Sequence, residues 1–328
     1  MRCIALFSGG LDSMLAVRMM QEQGVDVEAV NFKTIFTCCQ DESARAARLL
    51  GVRLTVVTQE DDYLELVRHP RFGYGKGANP CVDCRIYMFQ RAARLLDELG
   101  AQFVVSGEVL GQRLMSQKKR DLEVIAHHAG LRDLLLRPLS AQLLPETKPE
   151  REGWVDRTRL GRFVGASRKG LIELARKYDF PYIPTPSNGC SLTEVGFAAK
   201  VHDLVQLHPS PRRWDFELLK AGRHYRFSDD VKVIVSRRES DGALMELAHQ
   251  QPDAGARVLL KPHNFTGPVA LLLGPPRDAA LAFAAGLVVR HAKQPPDDAE
   301  LLADDGVRHW PVPARPTPES AAAKTLSE

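Results

Sequence analysis

Two groups of residues in this 328-residue chain are of types and spacings that could do chemistry. The first is Ser8-Gly9-Gly10-Leu11-Asp12-Ser13. It follows an apolar run at residues 3–7 and precedes residues 11–23, where Leu11, Leu15 and Met19 recur every fourth position, so the turn joins a strand to a helix. Glycines there let the backbone approach a ligand, successive N–H groups form an anion nest, and the helix N-terminus reinforces it. Ser8 and Ser13 add hydroxyl groups. Asp12 is the odd member, because a carboxylate repels phosphate; it fits as a helix cap or as the holder of Mg²⁺ bridging to the phosphates. No lysine follows, as a Walker loop would need, and the three spaced glycines of a dinucleotide fingerprint are absent.

The second group is built on cysteine. Asn79-Pro80-Cys81-Val82-Asp83-Cys84 sets two thiols at C-x₂-C spacing just before a helical stretch at 86–99, and Cys190 lies far downstream in Ser187-Asn188-Gly189-Cys190-Ser191. Such a pair can be half of a zinc site, a redox or persulfide pair, part of a cluster site, or inert thiol. A persulfide route would be helped by a helix start lowering the pKa of Cys84. A four-cysteine zinc site would want a second nearby pair, and none follows Cys84. Cys3 reads as a small buried hydrophobe in the first strand. Cys38 and Cys39 are adjacent, which suits neither for sharing one metal, and their role stays open.

The elements that must position these groups alternate. Apolar strand-like runs at 28–32, 53–57, 103–106 and 134–136 are separated by helical stretches, two of them stopped by Gly51 and Gly100. This order argues for βαβ units and a parallel sheet, whose ligands bind beyond the carboxyl ends of the strands. Asn31 and Phe32 at the second strand end, Ser106 and Gly107 at the fourth, and Gln112 and Arg113 beyond it are therefore candidates for nucleotide contact. Phe32 divides evenly between stacking on adenine and packing in the core. The loop at 69–84 is long and broken by Pro70, Gly73, Gly75, Gly77 and Pro80, as functional loops are. His127 and His128 sit about 100° apart on a helix and read as packing or surface residues.

Ser-Gly-Gly-x-Asp-Ser after a first strand resembles the PP-loop ATP pyrophosphatases, among them the tRNA thiouridine synthetases, GMP synthetase and argininosuccinate synthetase. The resemblance implies an α/β fold, a parallel five-stranded sheet with helices on both faces (adenine nucleotide alpha hydrolase-like), with a smaller C-terminal α+β domain. It implies ATP and Mg²⁺ as cofactors, cleavage of ATP between its α and β phosphates, and transfer of AMP to a carbonyl oxygen. Asn-Pro-Cys-x-x-Cys within such a chain resembles the thiolation branch, in which three cysteines bind a [4Fe–4S] cluster whose fourth iron carries the transferred sulfide. Cys81, Cys84 and Cys190 are carried over as those ligands. Residues 106–117 and 136–141 resemble the 4-thiouridine synthetase branch, with Gln142 standing where lysine is expected. Residues 218–292 resemble the RNA-binding R domain of NFACT-type proteins, on Val231-Lys232-Val233-Ile234-Val235-Ser236-Arg237-Arg238 and Gly267-Pro268; the usual Gly-Arg is Ser236-Arg237 here.

These readings divide the chain into a PP-loop domain at 1–186, a bridging segment carrying the third cysteine at 187–228, an RNA-binding domain at 229–295, and a largely disordered tail at 296–328. The net charge of +3 allows a nucleic-acid partner without requiring one. Arg212, Arg213, Arg223, Arg226, Arg237 and Arg238 concentrate positive charge in the second half. With 44% hydrophobic and 26% charged residues the composition is globular. Neither a signal peptide nor a membrane span is visible, so a cytoplasmic protein is expected, with six cysteines that are thiols or ligands. The expected activity is tRNA thiolation, with tRNA and a sulfur donor (sulfide or a cysteine desulfurase) as partners, no membrane, and a homodimer allowed for. No rhodanese-like segment is visible to carry persulfide, which favours the cluster. The rival readings are the same adenylation followed by a nitrogen nucleophile, and a non-catalytic RNA-binding protein on a decayed nucleotide fold.

Overall fold

The computed structural model describes residues 1–37, 40–186, 190–251 and 257–328. Two compact units divide between Ser191 and Leu192.

The first unit runs β1 (Arg2–Leu6), α1 (Leu11–Gln21), β2 (Asp26–Lys33), α2 (Gln40–Leu50), β3 (Arg53–Thr58), α3 (Asp62–Arg68), α4 (Cys81–Glu98), β4 (Phe103–Ser106), α5 (Lys119–His128), β5 (Leu135–Leu136), α6 (Lys148–Arg151) and α7 (Lys169–Lys177). Its five strands pair in parallel in the order β3-β2-β1-β4-β5. Alternation along the strands feeds two cores. Cys3, Ala5, Val27, Ala29, Phe103 and Val105 face α1, α2 and α7. Ile4, Leu6, Val30, Phe32 and Val104 face α4 and α5 through Ile86, Phe89 and Ile125. Burial on both faces is why these strands read as continuous apolar runs. The chain order reverses between β1 and β4, which puts the switch-point crevice beyond Leu6 and Ser106.

The second unit runs α8 (Val195–Leu207), α9 (Arg213–Leu218), β6 (Arg223–Ser228), β7 (Val231–Val235), α10 (Glu239–His249), β8 (Arg257–Pro262), β9 (Ala270–Leu273), α11 (Asp278–His291), β10 (Glu300–Asp304), β11 (His309–Pro313) and α12 (Pro318–Ala322). Its six strands lie in the order β11-β10-β8-β9-β7-β6, and every pairing is antiparallel. Val231, Val233 and Val235 pack under α11, while Ile234, Leu259 and Leu271 pack under α9 and α10.

The domain boundaries expected from sequence need correction. The segment from Leu192 to Ser228 is no bridge, since α8, α9 and β6 belong to the second unit, whereas Cys190 closes the first. The tail is folded. Leu301 and Ala303 of β10 are fully buried, and β10 pairs with β8 on one side and β11 on the other. Pro311 and Pro313 fall on the edge strand, the one place in a sheet where a missing N–H is tolerated. A Cβ on Gly286 of α11 would lie 2.4 Å from the Ser320 hydroxyl, so α12 packs hard against α11, and Arg290 donates to the carbonyls of Ser320 (3.0 Å) and Ala323 (2.8 Å). No helix among the described residues is long and apolar enough to cross a membrane.

Candidate functional site

The chain leaves β1 at Leu6 and turns through residues 8–10 into α1. Gly9 has φ +77, and a Cβ there would lie 2.8 Å from the Glu42 and Ser43 backbone at the start of α2. Glycine is thus required twice over, by conformation and by space. Gly10 is the N-cap of α1, and no side chain caps the helix. The first-turn N–H groups are left for an anion. The Ser8 hydroxyl accepts from the Gly10 N–H (3.3 Å), and Ser13 donates to the Gly10 carbonyl (2.8 Å), so both hydroxyls brace the turn.

Asp12 lies in this first turn and does not cap the helix, which leaves the cation-holding role of the two expected for it. Its Oδ1 is buried without a hydrogen-bond partner. Burial pushes the carboxyl above its usual range, against the opposing pull of Gln112, Arg168 and Arg113. A buried, orphaned carboxylate oxygen beside an anion nest is a fitting ligand for a hard cation. Gly107 supplies the facing wall: a Cβ there would lie 2.6 Å from the Asp12 carbonyl and the Ser13 nitrogen.

Three of the nucleotide contacts expected from sequence do other work. Phe32 is a core residue, 9% exposed and packed among Leu6, Val30, Ile86 and Phe89, so its ring offers no open stacking face. Asn31 spends its amide on the Phe7 carbonyl (2.7 Å), which fixes the entry to the turn. Ser106 is buried and donates to Glu108 (3.1 Å). Glu108 in turn binds Arg137 (2.9 Å) and lies 3.6 Å from Arg85, and this buried network shapes the loop after β4. Gln142 donates to the carbonyls of Arg157, Thr158 and Leu160, so it serves packing where the resemblance expects a cation.

The loop before α4 is organised by two buried side chains. Asp83 accepts from the N–H groups of Arg71 (3.1 Å) and Phe72 (3.0 Å). Asn79 accepts from the Gly77 N–H (3.0 Å) and donates to the Cys81 sulfur (3.0 Å). Helix α4 starts at Cys81, earlier than periodicity suggests, which seats Cys81 and Cys84 in its first turn. Cys190 arrives from the opposite end of the unit through an antiparallel bridge with Thr37, held by Ser191, whose N–H (3.1 Å) and hydroxyl (3.0 Å) both donate to the Phe36 carbonyl. Cys38, Cys39 and residues 187–189 lie outside the described residues.

Tyr63, on α3, lies against Cys84. Its hydroxyl donates to the Cys84 sulfur (3.3 Å), and its ring packs edge-on to Tyr87 and against Phe36. Burial pushes the Tyr63 hydroxyl well above its usual range, and Cys84, Cys190 and Cys81 push it further. Burial also raises the Cys84 thiol, more than the Tyr63 hydrogen bond and Arg85 lower it, so the helix start does not produce the lowered pKa a persulfide route would use. Among the described residues no three His, Cys, Asp or Glu side chains converge on one metal ion. Burial and Arg85 lower the pKa of Arg113, while Cys81, Asp12 and Glu108 raise it. Sequence reasoning passed over Tyr63, which carries no motif of its own, and gave Glu108 no role within the stretch at 106–117. Cys3 is buried in the core, as expected. His127 and His128 end α5 and pack on each other at 5.1 Å.

Comparison with known proteins finds matches to two separate stretches of the chain. Residues 1–142 match the family described as Thiamine biosynthesis protein (ThiI), and residues 222–303 match the NFACT protein RNA binding domain. A tRNA-specific 2-thiouridylase MnmA of Trichlorobacter lovleyi is 23% identical over 330 residues, covering 94% of this chain and 88% of the relative. The MnmA of Clostridium acetobutylicum is 30% identical over 118 residues, and there the match spans 33% of the relative's length. A probable tRNA sulfurtransferase of Thermococcus kodakarensis is 28% identical over 134 residues, 40% of this chain and 35% of that one. Among solved structures, a 4-thiouridine synthetase–RNA complex with bound ATP is 27% identical over 42% of this chain and 36% of that chain, with a TM-score of 0.35.

Proposed function

We propose that this protein is an ATP-dependent tRNA sulfurtransferase, which adenylates a uridine carbonyl oxygen and then replaces that oxygen with sulfur. The carrying observation is that one unit holds both an uncapped helix start with an orphaned Asp12 oxygen and the thiols Cys81, Cys84 and Cys190, with Tyr63 hydrogen-bonded to Cys84. Adenylation alone would need only the nest. The thiols make sulfur the fitting nucleophile, and nitrogen transfer has no use for them.

The nest at residues 8–13 binds the phosphates of ATP through backbone N–H groups, and Gly107 closes the wall opposite. The uridine oxygen attacks the α-phosphate and pyrophosphate leaves, which turns a poor leaving group into AMP. Sulfur then attacks the same ring carbon, and AMP departs with the oxygen. Arg113, in the loop after β4, would be the cation that offsets negative charge in both steps. Asp12 would hold Mg²⁺, which offsets phosphate charge during attack. Cys81, Cys84 and Cys190 would hold a [4Fe–4S] cluster, which presents sulfide at an iron with no protein ligand. The second unit would dock the tRNA, sulfide or a cysteine desulfurase would supply sulfur, and the reaction would run in the cytoplasm.

The test is anaerobic incubation of the protein with thiouridine-free tRNA, ATP, Mg²⁺ and sulfide, followed by nucleoside mass spectrometry. Thiouridine should appear only with ATP, alongside AMP and pyrophosphate, from protein carrying about four iron and four sulfide per chain. A nitrogen-bearing product, or cleavage of ATP to ADP, would overturn the reading.

A further inference from the structure

We propose that the second unit grips RNA by its phosphate backbone in one groove, at Arg223, Arg237 and Lys293, and reads no bases there. This rests on the tRNA substrate proposed above and adds the site and its mode of recognition.

The groove has a volume of about 870 Å³, and the start of β6, the turn between β7 and α10, residues 266–269 and the end of α11 form its walls. Both segments that carried the sequence resemblance, at Ser236-Arg237-Arg238 and at Gly267-Pro268, lie on it. They are held to each other, since Ser236 N–H donates to the Val269 carbonyl (2.9 Å) and Val269 N–H to the Ser236 hydroxyl (3.0 Å).

Charge pairing sets this groove apart. Elsewhere in the unit several buried or half-buried cations have carboxylates: Arg226 and Lys232 share Asp203, and Arg257 has Asp215, while Lys200 and Arg290 donate to carbonyls. In the groove Arg238 has Asp241 at 3.4 Å. For the side chains of Arg223, Arg237 and Lys293, no hydrogen bond or ion pair is found among the described residues. Their field is felt nearby. Burial first, then the charges of Arg237 and Lys232, bring Lys200 down to about 8, and burial with Arg223 and Arg290 lowers His291. Glu239 and Glu246 of α10 also line the groove, Glu246 paired with Lys261, so the cations Arg223, Arg237, Arg238 and Lys293 keep it net positive, as a polyanion needs, and it is too large to be a site for a single phosphate.

Base recognition needs stacking faces or a specific donor and acceptor set. The groove's one ring is the imidazole of His291, and the Tyr225 hydroxyl holds it at 2.7 Å. The groove therefore supplies affinity and leaves the choice of uridine to the first unit.

The test compares full-length wild type with the triple variant Arg223→Gln, Arg237→Gln, Lys293→Gln, and with the single surface variant Lys293→Glu. Each is titrated across a salt series with bulk tRNA and with an unrelated structured RNA of equal length. In the triple variant the slope of log affinity against log salt should flatten by about 2–3. Affinity should fall on the order of tenfold or more for both RNAs alike, with ATP binding unchanged. Lys293→Glu should show a smaller loss with the same lack of preference. Wild-type affinity in both variants would overturn the groove, and a loss confined to tRNA would overturn backbone-only recognition; either leaves the sulfurtransferase reading standing. A wild-type protein that binds neither RNA would bring down both.

Discussion

Two carboxylates, one in each unit, meet opposite surroundings. In the second, Asp203 is surrounded: Arg226 binds it through two nitrogens and Lys232 through a third, at 2.5–2.9 Å. In the first, Asp12 is buried with one oxygen bare. A satisfied buried carboxylate supports the fold, whereas an orphaned one costs stability and persists where a ligand completes it. The pKa values record the contrast. Burial works to raise Asp203, yet Arg226 and Lys232 hold it below the usual carboxylate range, while Asp12 stays above that range.

The same substitution should therefore have opposite effects in the two places. Asp203→Asn leaves Lys232 and Arg226 without their carboxylate and should destabilise the second unit by about 3–5 kcal/mol in chemical denaturation. Because the folded pKa of Asp203 is depressed, its contribution is full above the unfolded carboxylate value and is lost as pH falls through the folded one. The gap between wild type and variant should thus narrow in acid below about pH 4. Asp12→Asn should instead raise the melting temperature by roughly 2–4 °C near neutral pH while cutting pyrophosphate release on the order of 10²–10³-fold. Two substitutions of the same sign in a thermal melt would break the comparison.

Smaller effects sharpen it. Gly107→Ala pushes a methyl into the Asp12–Ser13 backbone, so ATP turnover should drop about a hundredfold, read by pyrophosphate release. Tyr63→Phe removes one hydrogen bond to the Cys84 sulfur, worth about 0.5–1.5 kcal/mol. It should leave adenylation intact and shift the electron paramagnetic resonance signal or potential of the reduced cluster. An unchanged signal would detach Tyr63 from the thiol site.

Much of the first unit was legible in sequence because local pattern and tertiary fate agree there. Apolar runs stopped by glycine are parallel strands and helices, and the glycine turn sits at the switch point those strands define. What was hidden depends on convergence of distant segments. Tyr63 acquires its role from Phe36, Cys84 and Cys190, none of them close to it in the chain. Phe32 could be assigned only once strand alternation put it on the same face as Ile4 and Leu6. The tail misled through composition: prolines and aspartates suggest disorder, but Leu301 and Ala303 alternate into the core and the prolines fall on an edge strand. Unpaired arginines cannot be told from paired ones in a sequence, so Arg223 and Arg226 look alike until Asp203 is seen to take only the second.

The most direct test of the account is a single-turnover reaction of wild type and Cys190→Ala with tRNA, following AMP and thiouridine together. The nest activates and the thiols deliver, so wild type should form one thiouridine for each AMP, and Cys190→Ala should still cleave ATP while forming no thiouridine. Full thiolation by the variant would remove Cys190 from the chemistry and contradict the assembly of nest and thiols into one site.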